Sequence, residues 1–295
     1  MIDIATRLLR RRHALDGPAV VHETWGSSIV VEIGELLIKA SGDRSTTAEA
    51  LVAGRARAAG VPAPDVIDSG VDARLPGGRW MIMKRMPGTS WDAGSADDDQ
   101  ITSVIDQVGN LLIKLRAVRL PGWGWIDDTG HGTSDSWSQW LRRQVTDSAT
   151  TLVDRLPPDF VRDAYEAIDR AAPELAAGSL LNGDLGLSHV LVDSSGRTVT
   201  GLLDWAAAII GDPLYDVATF SMGGPAGDPI QQVPQPRLIA EYAARTGNPV
   251  DDRRVDLYRM INHLFNACWS VDNDVLSWTD DLCRTVVALL TKINS

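Results

Sequence analysis

Asn182-Gly183-Asp184-Leu185-Gly186-Leu187-Ser188-His189-Val190-Leu191-Val192-Asp193 is followed by Gly201-Leu202-Leu203-Asp204-Trp205 and by Gly211-Asp212-Pro213-Leu214-Tyr215-Asp216, three blocks within 35 residues. The segment 189–204 interrupts a mostly helical pattern. His189–Asp193 and Thr198–Asp204 each read as a short strand, with Ser194-Ser195-Gly196 as the turn between them. Paired strands lie about 4.8 Å apart, so a hairpin brings its ends together. Asp184, His189 and Asp204 are therefore expected to converge, although 20 residues separate the two carboxylates. Asp212-Pro213 then starts a helix, with Asp as N-cap and proline in the first turn. Asp216, in that same turn, suits the positive end of the helix dipole and reads as support for the active-site loops.

Outward from these blocks, the pattern divides the chain. Towards the C-terminus, Leu257, Ile261, Leu264, Phe265 and Cys268 share one helix face, and Leu282, Val286, Leu289 and Leu290 share another. Upstream, Ile101, Val104, Ile105, Val108, Leu111, Leu112 and Leu115 set an amphipathic helix over 98–118, and Trp137, Trp140 and Leu141 open a further one. The first third is different: strands plus one helix. Ser28–Ile33 and Leu36–Lys39 flank a Gly34-Glu35 turn and read as a hairpin. A helix opens at Ser45-Thr46-Thr47 and stops at Gly60, before Val61-Pro62. The apolar run Trp80–Met83 ends at Met86-Pro87-Gly88, a break that marks a boundary. The expectation is an α+β fold of two lobes: residues 1–86, an antiparallel sheet with one helix, and residues 87–295, larger and mainly helical.

Bulk properties narrow the function. With 28 basic against 39 acidic residues the net charge is -11, which argues against a partner recognised through its phosphate backbone and so against nucleic acid. Two cysteines, Cys268 and Cys283, fit no metal spacing and read as buried free thiols, which suits a reducing cytoplasm. The N-terminal MIDIATRLLRRRHALDG carries no apolar run of signal-peptide length, and no uncharged apolar run approaches the roughly 20 residues of a membrane span.

Two carboxylates flanking one ribbon are what phosphoryl transfer needs: one to orient or accept the proton of an attacking hydroxyl, one to hold the Mg²⁺ that bridges the phosphates. The three blocks resemble the signature of aminoglycoside phosphotransferases and their choline-kinase and macrolide-kinase relatives, small-molecule kinases with a bilobal protein-kinase-like fold. The motifs of that resemblance span residues 20–220. It implies that Asp184 is the catalytic base and Asp204 a metal ligand. His189 stands where the family usually carries a metal-ligating Asn; a His occurs there in macrolide-kinase relatives, and neutral imidazole can coordinate a divalent metal, Mg²⁺ or Mn²⁺. Asn182 stands where the family has a His of architectural role.

The resemblance also implies an N-terminal nucleotide site for ATP or GTP. Lys39 falls at the end of its strand where the family places the lysine for the phosphates, and Glu49 on the next helix would hold it. Thr46 and Glu49 also have capping-box spacing, which is the competing local reading. Ser27 and Ser28, in Trp25-Gly26-Ser27-Ser28, would cover the phosphates, or simply close a hairpin loop. The backbones of Lys84 and Met86 would meet the purine. Two aromatic and acidic segments, Trp123–His131 and Trp269–Trp278, offer Asp127, Trp269, Asp272 and Asp274 as acceptor contacts, against core packing for the tryptophans and solvated loops for the acids.

The function implied is an O-kinase moving the γ-phosphate to a small hydroxyl-bearing acceptor, an antibiotic in the leading reading. A metabolite kinase of choline, homoserine, sugar or fructosamine type is the alternative, and a binding-only pseudokinase the third. Neither Asp-Phe-Gly nor Ala-Pro-Glu follows the base, which argues against a protein kinase. A cytoplasmic monomer or dimer without membrane or nucleic-acid partners is expected.

Overall fold

A computed structural model describes residues 1–22, 27–222 and 234–295. Helix α1 (Ile2–His13) leads into strands β1 (Val20–His22), β2 (Ile29–Ile33) and β3 (Leu36–Ala40). Gly34, at φ 60°, takes the left-handed turn position between β2 and β3, which glycine adopts without a Cβ penalty. With β4 (Val66–Val71) and β5 (Arg79–Lys84) these strands form a five-stranded antiparallel sheet in the order β1-β2-β3-β5-β4. Val31 faces Ile38, and Ile38 in turn faces Ile82, so the β-branched residues stack across the strands.

The sequence leads to one helix in this part; the structure has two. The signal for α1 is present in its spacing. Ala5 and Leu9 lie on one face and are buried against Ile29, Val31, Ile33, Ile38 and Trp80. Asp3 stands in its first turn and Arg10, Arg11, Arg12 and His13 in its last, each matched to the dipole. Helix α2 (Thr46–Ala58) is capped by Ser45, whose side chain accepts from the Ala48 N–H, so Glu49 is not spent on a capping box. Val52, Ala53 and Ala56 of α2 join the larger core rather than the smaller one. This packs α2 between the two parts of the molecule.

The chain crosses at Met86-Pro87-Gly88. Gly88 has φ 103°, and a Cβ there would stand 2.5 Å from the Val192 carbonyl, so only glycine fits. The following strand, β6 (Thr89–Ser90), is short and pairs with β10 (Val190–Val192), which also pairs with β11 (Val199–Leu202). Helix α3 (Asp98–Arg116) is held by a capping box of Asp97 and Gln100 and buries the apolar face its spacing predicts. Strands β7 (Trp123–Ile126), β8 (Gly132–Ser134), β9 (Ser179–Leu181) and β12 (Ile209–Gly211) make a second small sheet, in the order β8-β7-β12-β9. Its members come from distant stretches of chain, and none was legible in the sequence.

The remaining helices among the described residues are α4 (Trp137–Thr151), α5 (Phe160–Ala171), α6 (Leu214–Thr219), α7 (Pro234–Thr246), α8 (Asp252–Asp272) and α9 (Leu276–Asn294). Trp137 stacks on Trp140 at 4.8 Å, with Tyr215 and Tyr258 edge-on to Trp137. Within this cluster Trp137 Nε1 donates to the Tyr258 hydroxyl (3.0 Å), which donates to Asp212 (2.7 Å), while the buried Trp140 Nε1 has no hydrogen-bond partner among the described residues. Asp212 also accepts from the Leu214 N–H at 3.1 Å, from one position ahead of the expected cap, since Pro213 holds the N-cap of α6. Cys268 and Cys283 are free thiols. Among the described residues no helix is long and apolar enough to cross a membrane.

Candidate active site

The loop after β9 is fixed from two sides. From below, buried Asp216 of α6 accepts the Asn182 and Gly183 N–H groups at 2.7 and 2.9 Å. Burial pushes its carboxyl up to about 6, with those two N–H groups pulling the other way. Gly183 has φ 81°, and a Cβ there would stand 2.0 Å from the Ala207 carbonyl. From the side, Asn182 donates its amide to the Leu203 and Asp204 carbonyls at 3.2 and 3.1 Å and accepts from the Asp184 N–H at 3.2 Å. The single buried side chain of Asn182 therefore ties the loop bearing Asp184 to the loop bearing Asp204.

The ribbon is shorter than expected. His189 lies in a 3-10 turn ahead of β10, and Asp204 lies beyond β11 at φ 48°, in the left-handed region. The Leu203 N–H still reaches the His189 carbonyl at 2.8 Å, closing the ladder between them. His189 Nδ1 stands 2.7 Å from the Asp184 main-chain carbonyl. A carbonyl only accepts, so Nδ1 donates there, and the neutral imidazole would carry its lone pair on Nε2. Nδ1 is also 3.9 Å from the Asp184 carboxylate.

Lys39 joins the two parts of the molecule. Its ammonium lies 2.8 Å from Glu49 and 3.1 Å from Asp204, which is 165 residues away. Burial pushes the Lys39 pKa down, but Glu49 and Asp204 outweigh it and hold the ammonium above its ordinary value. Burial raises the Glu49 pKa above its ordinary value, with Lys39 pulling it down and Asp204 adding to the rise. The Lys39 ammonium thus stands between two carboxylates. At Asp204, burial raises the pKa, and the charges of Lys39 and His189 with the bonds from Lys39 and the Ala206 N–H more than offset it. Asp184 is raised, by burial first, with His189 opposing and Asp204 adding. Half of the Asp184 side chain is nonetheless open to the cleft, so water screens part of that effect.

These groups line a cleft of about 600 Å³. Ser28, Lys39, Asp184, His189, Asp204 and Trp269 of the expected residues border it. Ser28 bonds Ser41 at 3.0 Å, whereas Ser27 gives both its N–H and its hydroxyl to Asp43 (3.0 and 2.8 Å). Trp25 and Gly26 lie outside the described residues. Lys84 and Met86 are not among the bordering residues. The Lys84 N–H is taken by the Asp65 carbonyl, and the Met86 side chain packs over Gly201. Asp127 is a turn carboxylate: it accepts from Thr129 and from the His131 N–H, away from the cleft. Asp272 and Asp274 also stand outside the lining, at the end of α8 and in the turn after it.

The sequence missed Asp43, Arg44 and Asn266, which line the cleft; it led to Trp278 within its aromatic segment and to Asp216 as support for the active-site loops, and the structure adds Asn182 as the partner of that support. Arg44 lies over the Trp125 ring at 3.7 Å, and burial lowers its pKa. No short motif marks Asp43, Arg44 and Asn266; only the convergence of distant loops does. Among the described residues no three His, Cys, Asp or Glu side chains cluster as a metal cage. Asp204 and His189 supply two donors, which fits a divalent ion whose remaining ligands are phosphate oxygens and water.

Residues 6–258 match the family model of the phosphotransferase enzyme family. Among curated proteins, an uncharacterized protein, YcbJ of Bacillus subtilis, is 50% identical over 42 residues, 13% of its length. Acyl-CoA dehydrogenase family member 10 of Mus musculus is 25% identical over 168 residues, 15% of its length. The chain thus spans only a small part of these two relatives. Among solved structures, the apo form of a thermostable aminoglycoside phosphotransferase APH(4)-Ia superposes with a TM-score of 0.76 at 17% identity, covering 97% of this chain and 98% of the other. The same enzyme in ternary complex with AMP-PNP and hygromycin B gives 0.71 at 18% identity, covering 96% and 97%. A choline/ethanolamine kinase family protein from Mesorhizobium loti gives 0.65 at 18% identity, covering 100% and 94%. At these identities the likeness establishes the fold.

Proposed function

The chain belongs to the phosphotransferase enzyme family, and from that premise we propose that it is a small-molecule O-kinase, moving the γ-phosphate of ATP or GTP to an acceptor hydroxyl. The observation that carries the reading is the Lys39 ammonium bonded at once to Glu49 and Asp204, beside Asp184 in one cleft. No stability argument asks for three charged groups there, whereas nucleotide phosphates and a divalent ion do.

In this account Lys39, steadied by Glu49, holds the phosphates of the nucleotide. Asp184 accepts the proton of the acceptor hydroxyl; its raised pKa brings its basicity nearer to neutral pH, and its carboxylate is open to the cleft. Asn182 and Asp216 keep Asp184 and Asp204 in register. Asp204 and His189 Nε2 would hold Mg²⁺ or Mn²⁺, which would neutralise charge on the phosphates. Ser28 would face the phosphates, and Ser27 supports it through Asp43. The boundary between nucleotide and acceptor lobes falls at residues 86–87 in this proposal, with the backbones of Lys84 and Met86 as the purine edge.

For the acceptor we favour an antibiotic, with a metabolite kinase as the second reading. Asn266, Trp269 and Trp278 border the cleft, and Trp269 lies 6.0 Å from Trp278 in a stacked pair. An aromatic, uncharged wall supports an acceptor that offers a flat or apolar face, and Asp127, Asp272 and Asp274 take no part in it. Two free thiols and a net charge of -11 suit a cytoplasmic enzyme. The test is nucleoside diphosphate release over hydroxyl-bearing antibiotics and metabolites, with ATP and with GTP. Acceptor-dependent release supports the reading, and nucleotide binding with no release for any acceptor would leave the pseudokinase.

A further inference from the structure

A second cavity of about 490 Å³ shares no lining residue with the cleft. It lies where the end of α3, the loop before β9, the start of α6 and the turn between α7 and α8 meet. Arg116, Arg119 and Arg254 line it, against one carboxylate, Asp212. This leaves a local charge of three minus one, or +2, on a chain whose net charge is -11.

Two of these arginines have structural duties. Arg119 donates one Nη1 to the carbonyls of Ala177 and Gly178 and to the Ser179 hydroxyl. Arg254 donates Nη1 to Asp212 at 3.3 Å. Those duties leave donors over. Arg254 Nε is buried with no hydrogen-bond partner, a condition native structures rarely leave unresolved. Arg116, the last residue of α3, makes no side-chain hydrogen bond or ion pair among the described residues. The dipole at the C-terminus of α3 explains a cation at that position, but not three guanidinium groups around one cavity.

We infer that this cavity is a binding site for a small anionic ligand carrying a phosphate monoester. A guanidinium fork matches phosphate oxygens in pairs, and two net positive charges match a dianion. The volume exceeds what a bare phosphate fills and lies within the range of small-molecule sites. Leu175 and Val250 supply an apolar wall for the body of the ligand.

The site is separate from the kinase reading and is tested separately. Calorimetric titration of the whole protein with glycerol 3-phosphate and with inorganic phosphate reads it. The parent should bind both, the organic phosphate more tightly. Arg116→Met should weaken binding about tenfold or more, since it removes a charge-assisted partner that makes no side-chain hydrogen bond or ion pair among the described residues. Arg116→Lys should lose less. No binding by the parent, or equal binding by Arg116→Met, would overturn the assignment.

Discussion

Removal of Glu49 should destabilise the protein far more than the loss of one exposed ion pair. Glu49 is 5% exposed and Lys39 8% exposed, and they meet at 2.8 Å. A surface pair is worth about 0–1 kcal/mol, but breaking a buried pair typically costs about 3–5 kcal/mol, because the surviving charge stays out of water. In Glu49→Ala the ammonium keeps Asp204, whose side chain is 41% exposed and partly screened. That places the loss near the lower end, about 3 kcal/mol. The double variant Lys39→Met with Glu49→Leu removes both charges and keeps the volume, so it should recover most of that stability. It should not recover turnover, because Lys39 is there for the phosphates. Urea unfolding at neutral pH and nucleotide titration measure the two effects. Glu49→Ala within about 0.5 kcal/mol of the parent, a value ordinary for surface substitutions, would refute the reasoning, as would a double variant no more stable than Glu49→Ala.

Three further outcomes follow from the same geometry. A base must be ionised to act, and burial raises Asp184, so kcat/KM should fall on the acid side through a pKa above the ordinary carboxylate value of about 4; a flat profile down to that value would remove Asp184 as the titrating base. Asp204→Asn should raise the divalent-metal concentration needed for half-maximal turnover by tenfold or more, roughly the loss expected when a charged partner is removed, and coincident metal titrations would show that Asp204 is no ligand. His189→Asn replaces a nitrogen donor by an amide oxygen, so the ratio of Mg²⁺- to Mn²⁺-supported turnover should rise; an unchanged ratio would leave His189 with only its bond to the Asp184 carbonyl.

Much of this was legible in the sequence because local chemistry and long-range contact agreed. The β2–β3 hairpin, α2 with its Ser45 cap, and α3 announce themselves by period and punctuation. The convergence of Asp184, His189 and Asp204 follows from hairpin geometry, and Lys39 from the strand end at which the family resemblance places its lysine. The small sheet of β7, β8, β9 and β12 stayed hidden because its strands have three or four residues each, too short for alternation to show. Asp127 reads like a ligand in the sequence because composition cannot separate a carboxylate that caps its own turn from one that faces a cleft. Asn182 stands where the resemblance puts a His of architectural role, and its three hydrogen bonds are those of a brace. Helix α1 was readable from Ala5, Leu9 and the basic last turn, but its face is narrow and only the sheet beneath gives it meaning.

The central claim is transfer of a γ-phosphoryl group by Asp184, and its most direct test is the fate of labelled phosphate. The protein is incubated with γ-labelled ATP or GTP, Mg²⁺ and each acceptor of the panel, and label on the acceptor is followed beside nucleotide affinity. The account predicts label transferred to an acceptor hydroxyl by the parent, a loss of about 10²–10⁴ in rate for Asp184→Asn, and nucleotide affinity retained in that variant. Label reaching an acceptor equally fast with Asp184→Asn, or reaching none while the parent binds nucleotide tightly, would contradict it.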